Sequence, residues 1–139
     1  MKLNPAGSRR VAVTGIGVVA PGGTTREAFW SSITAGRTST RRISFFDPAP
    51  FRSQIAAEAD FDPAAAGLSP RECRRSDRHV QFGLAAAAEA LADSGIGLDE
   101  PARDAAAVVM GTAVGATITL ENEYVACSDG GRDWLVSPD

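Results

Sequence analysis

The stretch Val11-Ala12-Val13-Thr14-Gly15-Ile16-Gly17-Val18-Val19-Ala20, closed by Pro21-Gly22-Gly23, decides the reading of the fold. Its density of β-branched residues and its lack of polar alternation predict a strand buried on both faces, as in a parallel sheet. Pro21-Gly22-Gly23 ends that strand. Thr24 or Thr25 can then cap a helix with Glu27 in its first turn. Phe29, Trp30 and Ile33 give the helix an apolar stripe, and Gly36 stands where it would terminate. Strand, turn and helix in this order open an α/β chain.

Outward from this unit, residues 38–63 read as irregular, because Asp47-Pro48, Ala49-Pro50 and Asp62-Pro63 each disfavour helix. Within them Gln54-Ile55-Ala56-Ala57-Glu58 fits a short strand. Ser69 followed by Pro70 and Glu72 reads as a cap with a first-turn proline. Ser76 or Asp77 can cap a long helix running to about Asp93 and stopped by Gly95. Val80, Leu84, Ala87 and Leu91 fall at helical spacing and are expected to form its core stripe. The opposite face carries Gly83, Ala86 and Ala90, small enough for another backbone to approach closely. A helix so poor in charge is expected to lie between layers. Ala105 to Met110 is a second candidate for a buried strand, and from Thr117 the pattern turns helical through Leu120, Tyr124 and Val125. Residues 128–139 are polar and without period. Two or three strands cannot cover both faces of a sheet, so the chain reads as incomplete.

Composition narrows the function. The chain has 139 residues, with 14 basic against 17 acidic side chains, and its net charge of −3 offers no field for nucleic acid. Residues 1–10 lack the apolar core of a signal peptide, and no apolar run reaches the ~20 residues of a membrane span. A cytoplasmic location is expected. Cys73 and Cys127 match no metal or redox spacing and read as reduced thiols.

Several motifs carry chemistry only in outline. Gly15-Ile16-Gly17-Val18-Val19-Ala20 matches the dinucleotide-binding pattern after a strand, but that pattern needs a helix to begin at the turn and an acidic residue ~20 positions on. Pro21-Gly22-Gly23 interrupts the first and residues 34–42 lack the second, so a strand passing close to other backbone is the stronger reading. Ala126-Cys127-Ser128-Asp129-Gly130 resembles a nucleophile elbow, yet Cys127 follows a helix and has Asp129 beside it, the reverse of what activates a thiol. His79 reads as a solvated or capping residue. Glu121 and Glu123, two apart, point in different directions on a helix and suit a solvated face. No complete catalytic set, metal site or cofactor site is expected.

Taken together the phrases are more specific. Arg9-Arg10 with the strand and turn that follow resembles the opening of the β-ketoacyl-acyl-carrier-protein synthases. The stretch from Arg41-Arg42-Ile43-Ser44-Phe45-Phe46-Asp47-Pro48 to Ala59-Asp60-Phe61-Asp62-Pro63 resembles the ketosynthase (alpha) subunit of bacterial type II polyketide synthases. It is less like the fatty-acid enzymes and the nucleophile-less chain-length factor. Ser76-Asp77-Arg78 with the Ala-rich helix, Gly111-Thr112-Ala113-Val114-Gly115, Glu121-Asn122-Glu123-Tyr124 and Gly131-Arg132-Asp133-Trp134 extend the likeness over essentially the whole chain.

The resemblance implies a thiolase-like αβαβα layered fold of which residues 1–139 would be the N-terminal portion only. It implies decarboxylative condensation of a cysteine-bound acyl chain with malonyl on acyl carrier protein. The partners would be that carrier protein and a chain-length-factor subunit in a heterodimer, or a second copy in a homodimer. Cofactors, nucleic acid and membrane are not expected. The family's cysteine, two histidines and lysine would fall beyond Asp139, leaving Cys127 out of register. One position carries over: Val114, with Thr112 and Ala113 beside it, would face the acyl pocket, with plain core packing as the competing reading. Two other classes remain: a non-catalytic chain-length-factor-like or scaffold fragment, and a nucleotide-binding α/β domain.

Overall fold

The computed structural model describes residues 10–130. Arg9, the Gly131-Arg132-Asp133-Trp134 phrase and the rest of the tail lie outside them. The chain divides into two units, Met1–Asp60 with Ala86–Ile96, and Phe61–Ala85 with Gly97–Asp139.

In the first unit, residues 10–19 run without a ladder partner, and the turn after them closes through two backbone hydrogen bonds between Ala20 and Gly23 (3.0 and 3.1 Å). Helix α1 spans Arg26–Thr34, and Thr25 is its cap, its hydroxyl accepting from the Ala28 amide at 3.2 Å. Strands β1 (Thr40–Arg42) and β2 (Ile55–Ala57) pair antiparallel with Arg41 opposite Ala56. Strand β2 matches the expectation from the sequence, whereas β1 does not stand out there. The hairpin is anchored by Glu58, only 7% exposed, which accepts from the Ser44 amide (2.9 Å), the Ser44 hydroxyl (2.7 Å) and Arg41 Nε (3.3 Å). The Ser44 donors, and then Arg41, hold Glu58 below the ordinary carboxylate range. Arg41 also grips Asp60 with both terminal nitrogens.

In the second unit, α2 spans Pro70–Arg75 behind a reciprocal capping box of Ser69 and Glu72. Helix α3 covers Arg78–Ser94, its residues 78–85 belonging to this unit and its later residues to the first. A short helix, α4 (Glu100–Asp104), is capped by Asp99 with Pro101 in its first turn. Helix α5 (Thr117–Gly130) runs five residues beyond Val125, into sequence whose lack of period suggested a loop. Phe61, 8% exposed, meets the Phe82 ring edge to face at 5.0 Å, and the Arg78 guanidinium lies 5.0 Å over that same ring.

Three expectations about burial are corrected. Val11 and Val13 are 92% and 81% exposed, and Val108 and Val109 are 90% and 91% exposed. Neither 11–20 nor 105–110 is a buried strand among the described residues, because no neighbouring strand offers either one a ladder. Nor is α3 buried: Val80, Leu84 and Leu91 stand exposed. The packed face is the small one. A Cβ on Gly17 would overlap the Ala86 carbonyl and lie 2.9 Å from the Ala90 amide, while one on Gly15 would lie 2.7 Å from the Ser94 amide. The extended segment therefore rests on Ala86 and Ala90, as their size allows.

Two carboxylates on α3 complete this contact. Glu89 accepts from the Val18 amide and from the first amide of α1, Arg26, each at 2.8 Å. Asp93 accepts from the Ile16 amide at 3.0 Å and pairs with the Arg26 side chain. Ile16 and Val18 are two apart and Glu89 and Asp93 four apart, so one helix face meets one side of the extended segment. The Arg26 side chain, then the Ile16 amide, hold Asp93 below the ordinary carboxylate range. A depressed folded pKa means that the unfolded chain binds the proton first as pH falls. The stabilisation is thus complete above the ordinary carboxylate range, about 4, and is lost as pH drops through the lower folded value. Glu58 and Glu72 act in the same sense. Denaturant midpoints measured against pH on the full-length polypeptide should fall on the acid side, and Asp93→Asn should flatten that fall. An acid limb unaltered by the substitution would remove Asp93 from the account.

Candidate functional site

The chain from Gly111 to Ala116 is the loop that the sequence marks out, and it lies between an extended segment and α5 as expected. Gly115 has φ +80°, a conformation that side chains disfavour, and its amide donates to the Thr112 hydroxyl at 3.1 Å. Its carbonyl accepts from Thr117 at 2.9 Å, after which Leu120 donates to Ala116 at 3.0 Å and the helix continues. Thr112 is thus engaged in forming the turn. Ala113 is exposed, and Val114 at the tip is 76% exposed. Met110 reaches α3 where the helix carries Gly83: a Cβ there would lie 2.8 Å from the Met110 methyl.

The first turn of α5 is tied to the start of α3. The Thr119 hydroxyl donates to Asp77 Oδ1. Gln81 in turn donates to the carbonyls of Ser76 (2.8 Å) and Cys73 (3.1 Å), fixing the α2–α3 connection. Asp77 stands between two open grooves, of about 440 and about 240 Å³, and His79 lines both. Arg74, Arg75 and Glu123 face the larger one. Glu121 is exposed, so the two glutamates do diverge.

Cys127 lies well inside α5, away from its N-terminus, and neither it nor Cys73 is in a disulfide. A thiol so placed gains nothing from a helix N-terminus. The glycines of the dinucleotide-like pattern are used for packing on α3, and the leading amide of α1, which such a site would offer to a phosphate, is bonded to Glu89. Among the described residues no group of three or more His, Cys, Asp or Glu could hold a metal ion, and no helix is long and apolar enough to cross a membrane. Sequence reasoning missed the roles of Glu89, Asp93 and the Asp77–Thr119 pair. For the first two a signal existed, since carboxylates four apart on an otherwise charge-poor helix ask for donors.

Residues 8–137 match the family model described as the β-ketoacyl synthase N-terminal domain. The chain belongs to this family. It is 56% identical over 133 residues to a Streptomyces violaceoruber protein named for the granaticin polyketide β-ketoacyl synthase 1, covering 94% of this chain and 31% of that one. It is 52% identical over 128 residues to the tetracenomycin polyketide synthase ketoacyl synthase alpha subunit of Streptomyces glaucescens, with 92% and 30% covered. Identity is lower, 37% over 124 residues, to a 3-oxoacyl-[acyl-carrier-protein] synthase 2 of Coxiella burnetii, with 88% and 30% covered. Proteins named as polyketide synthases are thus among the relatives of this chain, in line with the resemblance carried by residues 41–63. The chain spans about a third of the length of these relatives.

Proposed function

We propose that this chain is the N-terminal portion of a ketosynthase (alpha) subunit of a type II polyketide synthase. The observation that carries the reading is 56% identity across 94% of the chain to a protein named as a polyketide β-ketoacyl synthase. The complete protein takes an acyl chain as a thioester on a cysteine. Malonyl on acyl carrier protein loses carbon dioxide, and the carbanion so formed attacks the thioester carbonyl. A carbon–carbon bond forms, the carbon–sulfur bond breaks and the thiolate is released. It works in the cytoplasm with acyl carrier protein and a chain-length-factor subunit or a second copy.

The bare apolar segments support a thiolase-like layered fold around this portion. Fully burying one valine is worth roughly 1.5–3 kcal/mol. Val11, Val13, Val108 and Val109 together therefore represent roughly 6–12 kcal/mol available to strands that pair with them and layers that cover them. Val114, with Thr112 and Ala113 behind it, forms part of the acyl pocket in that setting. Its exposure at the tip of a constrained turn suits a side chain that meets a substrate.

The test is acyl transfer and condensation by the full-length polypeptide, supplied with acyl-carrier and malonyl-carrier protein. Thioester formation, carbon dioxide release and chain extension are expected, and Cys127→Ala should retain all three. Absence of malonyl-dependent extension overturns the synthase reading in favour of a non-catalytic subunit. Loss of the thioester in Cys127→Ala would instead make that residue the nucleophile.

A further inference from the structure

Asp77 joins two helix starts in the second unit. It immediately precedes α3, and its carbonyl accepts from the Val80 and Gln81 amides at 2.9 and 3.1 Å. Its Oδ1 takes the Thr119 hydroxyl from the first turn of α5, across 42 positions of sequence. Its Oδ2 is enclosed and has no donor among the described residues. A carboxylate with so few donors gains more from each one, and a hydroxyl-to-carboxylate bond is roughly twice as strong as a neutral one. The loop carrying Val114 runs directly into that first turn through the Gly115–Thr117 and Ala116–Leu120 bonds. Where Thr119 is held, the end of the loop is held.

We infer that the Asp77–Thr119 hydrogen bond is a positioning device for Val114, and so selects the length of acyl chain that the synthase accepts. This rests on the reading of Val114 as part of the acyl pocket. Asp77 and Thr119 are positioning residues; neither need touch the substrate.

The test compares product-length distributions from the full-length polypeptide with its carrier protein and partner subunit. Thr119→Val removes the hydroxyl at nearly constant shape and should raise products of non-native length several-fold, leaving acyl loading unchanged. Thr119→Ser keeps the hydroxyl and should retain the native distribution. If Thr119→Val does not accumulate, Thr119→Ala is read by the same criterion. An unaltered distribution in the hydroxyl-less variant overturns the inference, as does a Thr119→Ser variant that behaves like it. Val114→Phe in the same assay separates the two claims. If Val114→Phe shifts the distribution and Thr119→Val does not, the pocket stands and the positioning device falls. If neither shifts it, the pocket reading fails first.

Discussion

Gly17→Ala in the full-length polypeptide should cost about 3 kcal/mol or more, toward or beyond the upper end of the ~1–3 kcal/mol typical of overpacking. The reason is what the new methyl would meet. It would overlap the Ala86 carbonyl and lie 2.9 Å from the Ala90 amide. Both obstacles are helix backbone, which cannot turn aside as a side chain would. The extended segment and α3 must therefore separate. Separation would also stretch the Val18–Glu89 and Ile16–Asp93 bonds, which need the same closeness. Gly97→Ala is the control, since nothing lies within 4 Å of a Cβ there, and such a site is expected to stay within about 0.5 kcal/mol. Chemical denaturation of the two variants decides the matter. Equal midpoints would show that the extended segment and the helix are not in contact as described.

The same contact shows how far the sequence could be read. Local chemistry was legible: Thr25, Ser69 and Pro70 announce their helices because capping is settled within a turn of the residue concerned. The small face of α3 was legible too, since Gly83, Ala86 and Ala90 have no other reason to share a side. Burial was not. Val80, Leu84 and Leu91 keep a core-like period although they stand exposed, because the period records what a face is built to meet and not what covers it. Strand β1 escaped notice because Thr40-Arg41-Arg42 is polar and becomes a strand only through β2. α4 escaped because one turn has no period, although Asp99 and Pro101 mark its start. The Asp77–Thr119 bond obeys no spacing rule at all, and only the folded chain brings the pair together. For the candidate site, the likeness of Gly111–Gly115 to the family singles out position 114, whereas the Thr112–Gly115 hydrogen bond that shapes its turn has no mark in the sequence.

Val114→Phe is the second large effect, and it is expected in the products rather than in the fold. Nothing among the described residues confines this side chain, which is 76% exposed on a turn set by Gly115 and Thr112. A phenyl ring can therefore be carried there without disturbing α5 or its cap region. If position 114 faces an acyl pocket, as proposed, the ring would occupy space that the acyl chain needs. Overpacking a space that cannot yield costs ~1–3 kcal/mol, a factor of roughly ten to a hundred in an equilibrium. If the space opposite is a pocket, that cost falls on binding of the long intermediates alone. Shorter or stalled polyketides should then accumulate, the first condensation should proceed at its usual rate, and the melting temperature should be nearly unchanged. If the space opposite is protein core, the same cost falls on folding. The variant would then lose several degrees of melting temperature and make the normal product in lower yield, and Val114 would be a packing residue.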